Sequence, residues 1–570
     1  MEIKGIGVSP GIAIGKACII KKKQATVSGI LLIDDTEIAV EIERFDNAVI
    51  LAITEIEGIK NNPALADEDI AILETHIELI GDPQIKDDVT ELITAERKNA
   101  NDAIIQVTQN MVELFRNMED EYMQARAADM EDIGNRILKH LVGVDTLCTQ
   151  KFEPGTIIIA DDLSPSDTIT MDLNCIAGFA TRAGSTTSHS AIIARARGLP
   201  AVVGCGAVLM ALRDGDAVVV DGTSGELYVN AGDETIHQLK IKREEFILQT
   251  EKLKQLKDIP AVTTDGTAIV ISGNISGAAD MDDVFYHGGQ GVGLFRTELL
   301  FMNRETFPTE DEQFEFYKQT ALKAKGKPVI VRTIDIGGDK QIPYFELPVE
   351  ENPFLGYRAI RICLDREDIF ITQLKAILRA SVFGELKIML PMIVGVQELR
   401  QAKCILEKAK KQLTEDNVPF NTGIELGIMI EVPSAAIAAD ILAKEVDFFS
   451  IGTNDLCQYT LAVDRMNEKI AHLYDPFNPG VLRLIRNVIE QANKHQIHVG
   501  MCGEMAGNPL ATVLLLGMGL KEFSMSATSI PTIKNMIIQT DIAEAKRVCD
   551  KVMELDNPDD IRTYLQQFIK

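Results

Sequence analysis

The sequence predicts a multidomain α/β protein that ends in a (β/α)8 TIM barrel, and three observations carry that expectation. From Pro260 onward, short apolar runs alternate regularly with helix-patterned stretches, as parallel strands do when crossover helices cover both faces of their sheet. Between about residues 35 and 142 the strand signal vanishes and apolar residues recur every three or four positions, which marks an all-α insertion. From Asp233 to Lys257 the chain is charged, helix-favouring and free of glycine and proline, so it reads as one long helix. The expected organisation is an α/β domain built from residues 1–20 and 146–230, an inserted helical bundle at 21–145, a linker helix at 231–260 and the barrel at 261–570.

Taken in order, Lys4 to Ile20 holds one or two short strands broken by glycine and proline turns. The insertion begins at about Asp35 with the stripe Ile42, Phe45, Val49, Ala52, Ile53, Ile56. Breaks at Asn61-Asn62-Pro63 and Gly81-Asp82-Pro83 divide it into four or five helices. Strand signals return at 155–160, 176–181, 201–204 and 217–221, with Asp214-Gly215-Asp216 and Asp221-Gly222-Thr223-Ser224-Gly225 as turns. The barrel strands are expected at 268–275, 291–295, 329–334, 386–392, 427–432, 448–451, 498–501 and 522–525. An open doubly wound sheet is the alternative, disfavoured because no glycine-rich fingerprint follows the first strand.

A chain of 570 residues exceeds one hydrophobic core. No apolar run reaches the length of a membrane span, and the start Met1-Glu2-Ile3-Lys4-Gly5 lacks a signal-peptide pattern, so a cytoplasmic protein is expected. The nine cysteines are scattered without a CxxC pair, which argues for reduced thiols rather than a disulfide framework or a zinc site. A formal charge of −28 argues against nucleic acid and anionic membranes. It suits a basic protein partner, or solubility alone.

Two regions carry chemistry. The first is Thr186-Thr187-Ser188-His189-Ser190-Ala191, where a small, hydroxyl-rich loop turns into a helix that runs to Gly198 with Ser188 or Thr187 as its cap. Free backbone N–H groups and the positive dipole end at such a start stabilise an anion, and a histidine there can accept a phosphoryl group. A capping or solvent-exposed histidine is the other reading.

The second region is the set of strand ends in the barrel, which all open on one face. They bring Arg296-Thr297-Glu298, Arg332 to Asp335, Glu431, Gly452-Thr453-Asn454-Asp455 and Cys502-Gly503-Glu504 together, with Arg358 and Arg465 close behind. Several arginines facing carboxylates suit a substrate carrying phosphate and carboxylate with a divalent metal between them, and Glu431 and Asp455 are the metal candidates. Singly, each pair is an ordinary structural ion pair. Cys502 at a strand end can give a proton to an enolate, because a thiol near its usual pKa of ~8.5 is mostly protonated at neutral pH. Cys457 competes for that role from a helix-like continuation.

These residues resemble a known family, the phosphoenolpyruvate-protein phosphotransferases, enzyme I of the bacterial sugar phosphotransferase system. The resemblance spans essentially the whole chain and is most specific from Asp447 to Arg465, with further matches at Gly293–Glu298, Val331–Lys340, Glu351–Arg358 and Gly500–Glu504. It implies a phosphohistidine domain in which His189 takes the phosphoryl group from phosphoenolpyruvate and passes it to the histidine-containing phosphocarrier protein. It further implies that Arg296, Arg332, Asn454, Asp455 and Arg465 hold the substrate, that Glu431 and Asp455 bind Mg2+, and that Cys502 protonates the enolate to pyruvate. In the family the helical insertion docks the carrier and the barrel forms a homodimer. One departure stands out: the family usually reads Gly-Gly-Arg-Thr-Ser-His where this chain has Gly184-Ser185-Thr186-Thr187-Ser188-His189, and Arg182 replaces a common acidic residue. Two other readings use the same residues, a nucleotide-dependent synthase or dikinase and a catalytically weak docking protein.

Overall fold

A computed structural model describes residues 1–20, 31, 34–60, 67–116, 121–142, 152–163, 175–185, 188–302, 304, 306–338, 342, 344–345, 347–348, 350–465, 467 and 469–569. The chain forms two compact units, Met1–Gln249 and Thr250–Lys570.

In the first unit, β1 (Glu2–Lys4), β2 (Ile6–Ser9) and β3 (Ile12–Ile20) precede five helices, α1 (Asp35–Lys60), α2 (Asp67–Ile80), α3 (Pro83–Ala95), α4 (Ala100–Arg116) and α5 (Glu121–Val142). The chain then returns through β4 (Thr156–Ala160), β5 (Ile176–Thr181), α6 (His189–Arg197), β6 (Ala201–Val203), β7 (Ala217–Asp221) and β8 (Glu226–Val229). The strands make one eight-stranded sheet in the order β1-β8-β7-β3-β4-β5-β6-β2. Strand β3 lies parallel to β4 with Lys16 opposite Thr156, so the whole bundle is inserted between two neighbouring strands.

The α1 stripe faces the bundle core: Phe45, Ala52 and Ile56 are buried, while Ile42, Val49 and Ile53 pack at its margin. One face of the sheet buries Ile158, Phe179 and Val203 against Ala191 and Ala194 of α6. Two alanines three residues apart let that helix approach the strands closely. Helix α7 (Asp233–Gln255) rests on the sheet through Leu239, which packs with Ile12 and Val219. Lys242 Nζ donates to the buried Asp221 carboxylate at 2.6 Å.

The second unit is a closed, all-parallel barrel of β9 (Val270–Ile275), β10 (Val292–Phe295), β11 (Val329–Arg332), β12 (Leu386–Leu390), β13 (Leu426–Ile430), β14 (Phe448–Ile451), β15 (His498–Met501) and β16 (Glu522–Met525), closed by β16 pairing with β9. Each strand is followed by helix, from Asp280–Tyr286 to Ile530–Gln539. Leu294, Ile330, Met389, Met429, Phe448 and Cys502 fill the interior. Gly427 makes room for this plug, since a Cβ there would stand 2.4 Å from the Phe448 ring. Strands β11, β12 and β13 stop two residues before their expected ends, which places Thr333 and Glu431 beyond the ladder, at the mouth. No described helix is long and apolar enough to cross a membrane.

Candidate active site

His189 is the first residue of α6, and local rules explain why the helix begins there. Ser188 keeps extended backbone angles (φ −61°, ψ 153°) and its Oγ accepts from the Ala191 N–H, which satisfies one of the helix's free donors. Ser188, not Thr187, is therefore the cap; Thr186 and Thr187 lie outside the described residues. Ser188 Oγ also donates to the Ser185 carbonyl at 2.9 Å and meets Ser190 Oγ at 3.0 Å, and Ser190 Oγ reaches Asp162 at 3.4 Å. Gly198 ends the helix in the left-handed conformation (φ 63°). In the described part of the loop ahead of Ser188, Gly184 has φ +112°, whereas Ser185 is not among the residues with positive φ. The serine that replaces the family's second glycine thus requires no strained backbone. Arg182 is neutralised by a two-pronged pair with Asp161.

At the barrel mouth, side chains from the ends of three strands, β10, β11 and β14, and the segments after them form an unbroken chain of alternating charge. Glu298 accepts from Arg332 Nη2 at 2.5 Å, and Arg332 Nη1 lies 3.2 Å from Asp335. Asp335 accepts from Arg358 Nη2 at 2.9 Å, that nitrogen reaches Asp455 at 3.4 Å, and Arg465 approaches the other Asp455 oxygen at 3.5 Å. Apart from Arg465, every member is buried. Burial alone would loosen the protons on Arg332 and Arg358, but the adjoining carboxylates outweigh it and hold both guanidiniums charged.

Glu431 sits beside this chain, 2% exposed, with Oε1 accepting from the Met392 N–H at 2.6 Å. Burial first, and then repulsion from Asp455 and Asp335, push its carboxyl up to about 8. A buried acid crowded by two carboxylates is a position that a dication would relieve. Among the described residues no three His, Cys, Asp or Glu side chains converge as a complete metal cage. Two carboxylates are still what a Mg2+ shared with a substrate phosphate uses, because that ion keeps waters and substrate oxygens in its shell.

Cys502 closes the mouth from below. Its Sγ lies 3.8 Å from the Ile451 carbonyl, and burial pushes its thiol up to about 11, so it keeps its proton at neutral pH. Asn274 Nδ2 donates to the Cys502 carbonyl at 2.9 Å. Cys457 is buried within the Thr453–Leu461 helix, outside the apolar plug that contains Cys502. Asn454 and Glu504 exchange two hydrogen bonds, of 3.2 and 3.0 Å. Arg296 follows β10 and is exposed.

Among the described residues, five buried polar atoms of this mouth have no hydrogen-bond partner: Arg332 Nε, Thr333 Oγ1, Arg358 Nε, Thr453 Oγ1 and Arg465 Nη1. Three are cationic donors, and such a concentration of unsatisfied groups calls for a ligand. The structure therefore brings Arg332, Glu431, Asp455, Arg465 and Cys502 to one mouth, with Asn454 and Arg296 at its edge. His189 belongs to the other unit. The sequence places Arg358 among the arginines suited to an anionic substrate but assigns no role to Glu298 or Asp335, nor to Tyr459, whose hydroxyl accepts from Arg358 Nη1 at 2.9 Å. No local pattern flags these partnerships, which depend on strand order.

An α/β unit bearing a histidine at a helix start, followed by a barrel whose mouth gathers arginines and carboxylates, is the architecture of enzymes that use phosphoenolpyruvate. Accordingly, residues 250–542 match the profile described as PEP-utilising enzyme, PEP-binding domain; residues 4–126 match the N-terminal domain of these enzymes and 152–225 their mobile domain. A phosphoenolpyruvate-protein phosphotransferase of Priestia megaterium is 44% identical over 567 residues, covering 99% of this chain and 98% of that one. The enzymes of that name from Bacillus subtilis (strain 168) and Staphylococcus carnosus (strain TM300) are 44% and 43% identical over 571 residues, covering all of this chain and 100% and 99% of theirs. The chain belongs to the phosphoenolpyruvate-protein phosphotransferase family.

Proposed function

We propose that the barrel mouth binds phosphoenolpyruvate and that His189 takes its phosphoryl group and delivers it to a histidine-containing phosphocarrier protein, the entry step of sugar uptake by phosphotransfer. The observation that carries this reading is the cluster of arginines, with the Nε of Arg332 and of Arg358 left without a hydrogen bond, beside a protonated thiol and buried carboxylates at one barrel mouth. Arg332 and Arg465, with Arg296 and Asn454 at the rim, hold the phosphate and carboxylate of the substrate. Glu431 and Asp455 hold Mg2+, which supplies positive charge to the transferring group when bound. The bond between the enol oxygen and phosphorus breaks, an imidazole nitrogen of His189 forms the new bond to phosphorus, and the enolate carbon takes the Cys502 proton to become pyruvate.

The amide donors and dipole at the start of α6 stabilise the phosphorylated imidazole. The acidic helical insertion docks the basic face of the carrier, and the barrel pairs with a second copy. Scattered single cysteines suit the reducing cytoplasm. Incubation with Mg2+ and phosphoenolpyruvate labelled at phosphorus gives an acid-labile label and an equivalent of pyruvate. Label that survives His189→Ala, or no label on the unaltered chain, refutes the reading.

A further inference from the structure

Arg332 is held by more than carboxylates. Strand β11 leaves the ladder at this residue, and two side chains take over the backbone groups that the ladder releases. The Arg332 carbonyl accepts from Thr297 Oγ1 at 2.9 Å, and the Ile334 N–H donates to Gln373 Oε1 at 2.9 Å. The two side chains also bond each other, Gln373 Nε2 donating to Thr297 Oγ1 at 3.2 Å. A closed circuit therefore fixes the backbone from Arg332 to Ile334, between the guanidinium and Asp335.

The circuit reaches the outer helices. Gln373 stands on the helix Glu367–Ala380, and its Nε2 also donates to Tyr317 Oη at 3.1 Å. Tyr317, on the helix Glu310–Lys323, donates to Gln313 Oε1 at 3.2 Å, and Gln313 Nε2 donates to the Pro308 carbonyl at 3.1 Å. All four side chains are buried. Each hydroxyl gives one bond and receives one, so the donors and acceptors form one consistent set. Because every member is hydrogen-bonded, burying the two amides and two hydroxyls carries little penalty; what separates Thr297 and Gln373 from Tyr317 and Gln313 is that they bond the backbone on either side of Thr333, at the strand end that aims an arginine.

We infer that Thr297 and Gln373 are positioning residues for the substrate, setting the Arg332 guanidinium for the phosphate it is proposed to bind. This inference rests on the phosphoenolpyruvate reading given above. The test uses the full chain, with KM and kcat for pyruvate release and the melting temperature measured together. Thr297→Val replaces the hydroxyl with a methyl group of similar size; it raises KM for phosphoenolpyruvate about tenfold, the usual effect of losing a partner that orients a ligand, and leaves kcat within about threefold. Thr297→Ser, which keeps the hydroxyl, restores KM. Tyr317→Phe cuts the outer arm only and leaves KM unchanged even where it lowers the melting temperature. If Thr297→Val does not fold, Gln373→Met breaks the same link from the other side and raises KM in the same way.

An unchanged KM in a folded Thr297→Val or Gln373→Met variant overturns the inference. Equal KM effects in Thr297→Val and Tyr317→Phe also overturn it, by reducing the circuit to core stability. Failure of the unaltered enzyme to release pyruvate from phosphoenolpyruvate overturns instead the reading beneath it.

Discussion

Arg358 and Asp335 give the sharpest measure of whether the charged mouth is one coupled structure. Their atoms meet at 2.9 Å with both side chains buried, and at an effective dielectric of about 20 the gross attraction is roughly 6 kcal/mol. Most of that offsets desolvation, and each residue keeps a second partner, Arg332 for Asp335 and Asp455 for Arg358. Arg358→Met leaves two buried carboxylates short of a cation and costs about 3–5 kcal/mol, the usual consequence of breaking a buried pair from one side. Asp335→Asn costs less, because the amide still accepts a hydrogen bond. In the double variant the two losses overlap by about 2 kcal/mol.

The assay is urea unfolding of all four proteins. The chain has no tryptophan, so the barrel transition is followed by hydrogen exchange of barrel peptides, with an unchanged denaturant slope as the check on comparison. Losses that add to within about 0.5 kcal/mol refute the coupling. They would reduce the mouth to a set of independent contacts.

Two further outcomes follow from the barrel's polar details. Glu522 is buried near the opposite end, accepting from Ser272 Oγ at 2.6 Å and meeting His498 Nε2 at 2.7 Å; burial opposes its ionisation, but the hydrogen bond to His498 and the charge of that ring, joined by the Ser272 bond, hold the carboxyl below its usual range. A depressed carboxyl contributes stability above its unfolded value of ~4.3 that disappears as pH falls through the lower folded value. The urea midpoint of the unaltered chain therefore drops on acidification below that point, and Glu522→Gln flattens this limb while lowering neutral stability by about 1.5–3 kcal/mol; an equally steep acid limb in the variant contradicts the assignment. At the mouth, a Cβ on Gly503 would lie 2.0 Å from Thr453 Oγ1 and 2.5 Å from its backbone nitrogen, so Gly503→Ala costs about 1–3 kcal/mol and slows pyruvate release by shifting the loop that bears Cys502. Normal melting temperature and turnover together would rule this out.

The parallel strands of the barrel are legible because each is buried on both faces and reads as an unbroken apolar run. Their C-terminal ends are not, because Thr333-Ile334 and Glu431-Val432 continue the same texture although β11 and β13 stop short of them. At β11 a side chain on a distant helix, Gln373, replaces the ladder bond. The cap at Ser188 and the stop at Gly198 are legible because both obey rules local to a few residues. The ion-pair chain is another matter: Arg332 pairs with a residue 34 positions away and Arg358 with one 97 away. Charge at strand ends announces a site, and only strand order and barrel closure decide which charges meet. Tyr317 and Gln373 look like ordinary helix residues until those helices are wrapped round the strands.

The balance of charge at the mouth bears directly on the proposed chemistry. Arg332, Arg358 and Arg465 pair with Glu298, Asp335 and Asp455, three cations against three acids, and the raised Glu431 carboxyl adds little charge, so the ion-pair chain without substrate is close to internally balanced. Phosphoenolpyruvate at neutral pH brings about three negative charges, one from its carboxylate and up to two from its phosphate. Introduced alone, it would confront buried carboxylates that already occupy the inward donors of Arg332 and Arg358, and repulsion would offset the new hydrogen bonds it could accept from their free Nε atoms. A dication held as proposed by Glu431 and Asp455 would relieve that conflict, since it would cancel most of the incoming charge and favour the ionised form of Glu431. Mg2+ and substrate are thus expected to bind as a pair, each increasing the affinity for the other by the same factor.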